Sequence, residues 1–122
     1  MLVTGALLGA LAVALGAFGA HGLKARFSPD ALALWNTAVQ YHFWHALGVL
    51  TMGLAAFHFD PAWTKAAGWL LAAGTALFCG SLYALALGAP RALGALAPVG
   101  GMALIAGWLL FAGIVIFART PG

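Results

Sequence analysis

Two histidines three residues apart, His42 and His45, sit inside the apolar and aromatic stretch AVQYHFWHALG at residues 38–48. At about 100° per residue a helix puts both on one face, and Trp35, Ala38, Val49 and Met52 continue the same stripe. Imidazoles so arranged can do three kinds of work. They can hydrogen-bond to neighbouring helices or to lipid headgroups. They can bind a metal or heme, because a histidine pair at this spacing is a two-ligand unit suited to zinc, copper or iron. In that case His21 would be the third ligand, with Met52 or Cys79 as soft alternatives. Or they can handle protons or a polar solute in a membrane pathway. Gln40 and Tyr41 stand next to the pair as hydrogen-bond partners, and His21 falls on the same membrane side. His58 falls on the opposite side, near Asp60.

Catalytic chemistry finds little to work with. There is no H-E-x-x-H and no glutamate anywhere, and the two aspartates, Asp30 and Asp60, stand in different loops. A Gly-rich phosphate loop, G-x-S-x-G, C-x-x-C and a carboxylate pair are all missing. Cys79 and Ser81, in FCGSLY, could be nucleophiles only beside a base. A buried small hydrophobe and a backbone-bonded hydroxyl are the plainer roles for them. As the single cysteine, Cys79 cannot form an intrachain disulfide. No enzyme is read from this chain, and its cofactor, if it has one, is left unknown.

The elements that must position these residues follow from how little charge there is. Of 122 residues, 65% are hydrophobic and 6% charged, against about 25% charged in a soluble domain. So few charges cannot cover a water-facing surface, and the surface must face a lipid bilayer. The five basic residues, Lys24, Arg26, Lys65, Arg91 and Arg119, are scattered. Without a basic stripe to follow a phosphate backbone, nucleic acid is excluded as a partner.

Four uncharged stretches of 19 to 22 residues divide the chain, at about 2–20, 38–57, 66–87 and 97–118. Each matches the roughly 20 residues that cross about 30 Å of hydrocarbon, and backbone in hydrocarbon must be helical. The first lacks a basic flank and is too long for a signal peptide, so it is read as a retained span. In RFSPDALALW, Ser28 suits an N-cap, Pro29 a first helical position and Asp30 the positive first turn. Helix two should therefore begin near residue 29 and run about 43 Å to residue 57. If its membrane part starts at residue 38, the two imidazoles lie roughly 6 and 10 Å below that start, near one membrane face. Pro61 and Pro98 suit the starts of helices three and four, and short loops make consecutive helices antiparallel. Lys24, Arg26 and Arg91 on one side against Lys65 and Arg119 on the other place the 21–36 loop in the cytoplasm.

Helices in lipid approach through small residues. Gly5, Gly9, Ala12, Gly16 and Gly19 fall on one face of helix one at steps of four, three, four and three, so this face should be buried against another helix, of the same chain or of a second copy. Gly68, Ala72, Thr75 and Cys79 repeat the rhythm on helix three, as Gly100, Ala103 and Gly107 do on helix four. Trp35, Tyr41, Trp44, Trp63 and Trp69 mark the interfaces as headgroup-level aromatics.

Four segments, GAFGAHGL, WNTAVQYHFWHALG, GSLYALALG and APVGGMALIAGW, together resemble the YgdD-like family of small bacterial inner-membrane proteins. That family is a domain of unknown function with a eukaryotic transmembrane branch. The resemblance covers nearly the whole chain and implies about four membrane helices. It places His21, Tyr41, His42, His45, Gly80, Ser81, Tyr83, Pro98, Gly100, Gly101 and Trp108 on the family's motif positions, supplies no reaction, and implies that Cys79 is not essential.

The expectation is an all-α, integral membrane, four-helix up-down transmembrane bundle forming one domain over residues 1–122. Its leading function is that of a membrane-embedded binding or accessory protein of the bacterial inner membrane. The ligand site would be a polar cluster of His21, Tyr41, His42 and His45 at one membrane face, and these four side chains should converge. The alternative is a structural or assembly protein that packs through glycine faces against a second copy or a partner membrane protein. Metal or heme binding, or a proton or solute pathway, comes third.

Overall fold

The computed structural model describes residues 1–118; Arg119, one of the charges compared for orientation, falls outside them. Four helices account for the fold: α1 (Leu2–Phe18), α2 (Pro29–Ala55), α3 (Pro61–Ala86) and α4 (Leu96–Ala118). A π-helical turn, Gly19–Leu23, extends α1, and a 3-10 turn, Arg91–Ala95, precedes α4. No strand occurs among the described residues.

Local chemistry sets the ends. The Ala31 amide donates to Ser28 Oγ at 3.2 Å, and the Ala62 and Trp63 amides donate to the Asp60 carboxylate at 2.8 and 3.3 Å. Each cap satisfies donors that a helix start leaves free, and a proline follows each one. At the end of α3, Gly88 has φ +98°, a conformation that costs glycine nothing. It lets the Gly88 amide donate to the Leu85 carbonyl and the Ala89 amide to the Ala84 carbonyl, the paired bonds of a Schellman stop.

Each helix packs antiparallel on the next. On the α1–α2 seam Gly5 meets Leu50, Gly16 meets Val39 and Gly19 meets Trp35. Gly68 faces Met52 across α2 and α3, while Gly74 meets Leu104 and Gly107 meets Leu71 across α3 and α4. The result is an all-α, up-down bundle in which α2 and α3 are interior and α1 and α4 flank them. The two flanking helices barely meet. The positions Gly5, Gly9, Ala12, Gly16 and Gly19 line the contact with α2 of the same chain. Three are tight, since a Cβ at Gly5, Gly16 or Gly19 would stand 2.7, 3.2 or 2.5 Å from an α2 atom. Gly9 is loose, its Cβ reaching only Ala46 at 4.0 Å.

Three segments are long and apolar enough to cross a membrane: Leu2–Leu23, Pro61–Ala86 and Arg91–Ala118. α2 is long enough, at 27 residues, but carries Asp30, Asn36, Gln40, His42 and His45 and is not apolar enough by the same measure. Its inward stripe nevertheless forms much of the interior: Trp35, Ala38, His42, His45, Val49 and Met52 are all buried. Trp35 departs from the interfacial placement expected of it. It lies inside, because Gly19 opens room for the indole and the Leu15 carbonyl accepts its N–H at 2.9 Å. Trp44, Trp63 and Trp69 stay exposed.

Candidate functional site

The polar interior gathers on α2. Elsewhere the buried hydroxyls serve their own helices: Thr75 donates to Leu71 at 2.7 Å, Ser81 to Phe78 at 2.8 Å and Thr64 to Asp60 at 3.0 Å. His42 does otherwise. It is 3% exposed, and its Nδ1 lies 3.0 Å from the Tyr83 hydroxyl of α3. If the hydroxyl donates to Nδ1, Nε2 carries a proton; if Nδ1–H donates to the phenolic oxygen, Nε2 is bare. In either tautomer Nε2 is enclosed and has no hydrogen-bond partner, although the Leu8 carbonyl of α1 lies against the ring. Tyr83 is fixed in turn by the Trp35 ring, 4.7 Å away between centroids.

His45, one turn on, is 8% exposed. Its Nδ1 is 2.7 Å from the Tyr41 carbonyl. A carbonyl can only accept, so Nδ1 carries the proton and the neutral ring keeps its lone pair on Nε2. That nitrogen has no partner among the described residues, yet it is not enclosed as His42 Nε2 is. The imidazole stacks on Tyr41 at 5.9 Å and 10° and tilts against Trp108 of α4 at 6.0 Å. Gly48 makes that approach possible, since a Cβ there would stand 3.1 Å from the Trp108 ring.

Tyr41, His42 and His45 thus belong to one cluster, while His21 stands apart from it. Within the π-helical turn, Gly19 and Leu23 take the inward positions and His21, between them, is exposed. His42 lies between the Gly9–Ala46 and Gly16–Val39 contacts, so His21 is roughly 13 Å further along α1 at 1.5 Å per residue. Among the described residues no three of histidine, cysteine, aspartate and glutamate come together to hold a metal, and the His21–His42–His45 ligand set is not assembled. Along the helices, His42 is the middle residue of α2 and Trp108 lies one residue past the middle of α4, while Tyr83 lies three residues before the end of α3.

Two contributors went unnamed in the sequence as site residues. Tyr83, not Tyr41, supplies the phenol to His42, while Tyr41 offers its carbonyl and its ring face. Trp108 closes the His45 side. Both stood among the motif positions of the family resemblance, which was the available signal. An apolar hollow lies elsewhere. It measures about 550 Å³ between the start of α3 and the end of α4, and is apolar except for Asp60, whose carboxylate is engaged in capping.

Residues 15–101 match the family described as "Protein of unknown function (DUF423)". The chain belongs to this family. The match takes in α2, α3 and the whole aromatic–histidine cluster except Trp108. Among curated relatives, the UPF0382 membrane protein YwdK of Bacillus subtilis is 47% identical over 55 residues, 45% of each chain. The UPF0382 membrane protein SERP0230 of Staphylococcus epidermidis is 44% identical over 53 residues, 43% of each. The chain therefore covers less than half the length of these relatives. No solved structure matches it. The family resemblance seen in the sequence, to membrane proteins without an assigned reaction, agrees with this membership, and the protein is a bacterial-type membrane protein.

Proposed function

We propose that the protein is a membrane-embedded binding or accessory protein of the bacterial inner membrane, with α2 as its fourth span and its ligand site around His42, His45, Tyr41 and Tyr83. One observation carries the reading. His42 is buried at the middle of α2, tied at Nδ1 to Tyr83, and its enclosed Nε2 makes no hydrogen bond of good geometry, with the Leu8 carbonyl beside the ring. Nearly every buried polar atom in a folded protein has a partner, and an exception supports a functional role for the group around it. Ionisable residues inside a membrane are functional candidates for the same reason. The spanning role of α2 draws support from its antiparallel packing along both α1 and α3, which shields His42 and His45 from lipid.

The assembly reading draws less support. The glycine faces of α1 and α4 are filled from within the chain, by α2 and by α3, and neither faces outward to receive a partner helix.

The test is extraction. The parent protein and His42→Leu, purified in nanodiscs made with the host's own lipids, are extracted with solvent and compared by mass spectrometry. A species present at one per chain in the parent and lost in the variant, with both equally helical, supports the site. Identical extracts from two folded proteins would refute it.

A further inference from the structure

The cluster has two free ring nitrogens of different kinds, and the second one names a ligand class. His42 Nε2 is sealed inside the bundle. His45 Nε2 is not sealed, and the Nδ1–H bond to the Tyr41 carbonyl makes it an acceptor. With α2 as a span, an acceptor at this position lies within hydrocarbon, where unmade hydrogen bonds are costly and water does not make them. A donor soluble in the bilayer has to meet it. Around this nitrogen the surface is aromatic. Tyr41 and Trp108 are 44% and 41% exposed, and both rings lie within 6.0 Å of the imidazole between centroids. Partly exposed aromatic rings beside it favour a flat ring as neighbour, in offset or edge contact. The Trp108 indole N–H has no hydrogen-bond partner among the described residues, so it can donate to an oxygen on the same ring.

We infer that His45, Tyr41 and Trp108 form a lipid-facing site for a bilayer-soluble aromatic ring bearing a hydroxyl, of the phenol or quinol class, whose O–H donates to His45 Nε2. The inference rests on the reading of this cluster as a ligand site and gives that site its ligand chemistry. It also separates the roles of the two histidines: His45 touches the ligand, and His42 with Tyr83 holds α2 in register beside it. An oxidised quinone has no O–H and forfeits the bond to His45, though Trp108 can still donate to its carbonyl.

The experiment is equilibrium binding of a radiolabelled short-chain benzoquinol, kept anaerobic, to the full chain in nanodiscs. It is run beside the dimethyl ether of the same quinol, which keeps the ring and oxygens but has no O–H. The quinol should bind saturably at one per chain, and the ether roughly tenfold more weakly, the effect of about one hydrogen bond. His45→Phe should abolish that discrimination. Trp108→Phe should weaken both ligands and leave their ratio unchanged, a result that stands even if His45→Phe fails to fold. Equal binding of quinol and ether, absence of saturable binding, or discrimination that survives in a folded His45→Phe each overturns the inference. If quinol binding fails while the extracted species still depends on His42, the site takes another ligand, and the inference falls without the broader reading.

Discussion

Gly100→Ala tests how α3 and α4 are held together. A Cβ at Gly100 would stand 2.9 Å from both the Phe78 Cα and the Gly74 carbonyl oxygen, and closer still to the Phe78 amide nitrogen. Ordinary carbon contacts need about 3.5–4.0 Å, so the helices must part by roughly 0.6 Å or more. Every atom met is backbone, so no rotamer change relieves the clash. Overpacking costs about 1–3 kcal/mol. Parting the helices also loosens the Gly74–Leu104 and Gly107–Leu71 contacts further along the same seam, so the upper end of that range applies here. Gly113→Ala on the same helix is the control, since its new Cβ meets nothing within 4 Å. It brings only the gain from removing a helical glycine, about 0.5–1 kcal/mol. Gly100→Ala has the same gain against its loss, for a net destabilisation of about 2 kcal/mol, so the two variants should differ by about 3 kcal/mol. Unfolding in mixed micelles at rising fractions of denaturing detergent, followed by tryptophan fluorescence, measures that difference. A difference within about 0.5 kcal/mol, the scatter of ordinary surface substitutions, would refute the claim that α3 and α4 meet backbone to backbone at this glycine.

Three further substitutions test the cluster and the caps. Tyr83→Phe leaves both nitrogens of the buried His42 without a partner and should cost about 1–3 kcal/mol; adding His42→Phe should recover part of the loss, and additive losses in the double-variant cycle would remove the His42–Tyr83 bond from the account. Trp35→Phe deletes the indole N–H that reaches the Leu15 carbonyl, so amide exchange across Gly19–Leu23 should quicken while that of α3 holds, and unchanged protection there would contradict the role given to this bond. Asp60→Ala removes the cap from two amides at the start of α3 and should lower stability by about 1 kcal/mol, whereas Asp60→Asn or Asp60→Ser should restore most of it.

Much of this architecture is legible in the sequence because membranes allow few solutions. Backbone in hydrocarbon must be helical, so uncharged runs and the Ser28-Pro29 and Asp60-Pro61 pairs nearly delimit the elements. The α2 stripe from Trp35 to Met52 is legible for the same reason, as it needs only the helical period. Partners across helices are another matter. Tyr41 and Tyr83 look alike in sequence as possible phenols for His42, and only the antiparallel register of α2 on α3 chooses Tyr83. Trp35 looks like an interfacial anchor until Gly19, sixteen residues earlier, is known to lie opposite and leave space for it. His21 looks like a third histidine on the same side until the π-helical turn swings it outward, and nothing in GAHGL announces that turn.

With α2 as a span, its modest hydropathy bears on how the protein is made. α2 leaves the ribosome after α1 and before α3, and it is the helix least able to partition into lipid alone. α1 is ready to receive it, with a glycine face shaped to its ridge and the Leu15 carbonyl to take the Trp35 indole. The two therefore enter as a hairpin, with His42 and His45 on the flank still open to the translocation channel. α3 then brings the Tyr83 phenol to His42, and α4 arrives last with Trp108 to close over His45. Each histidine is thus covered by a helix made after its own, His42 by the next and His45 by the one after that.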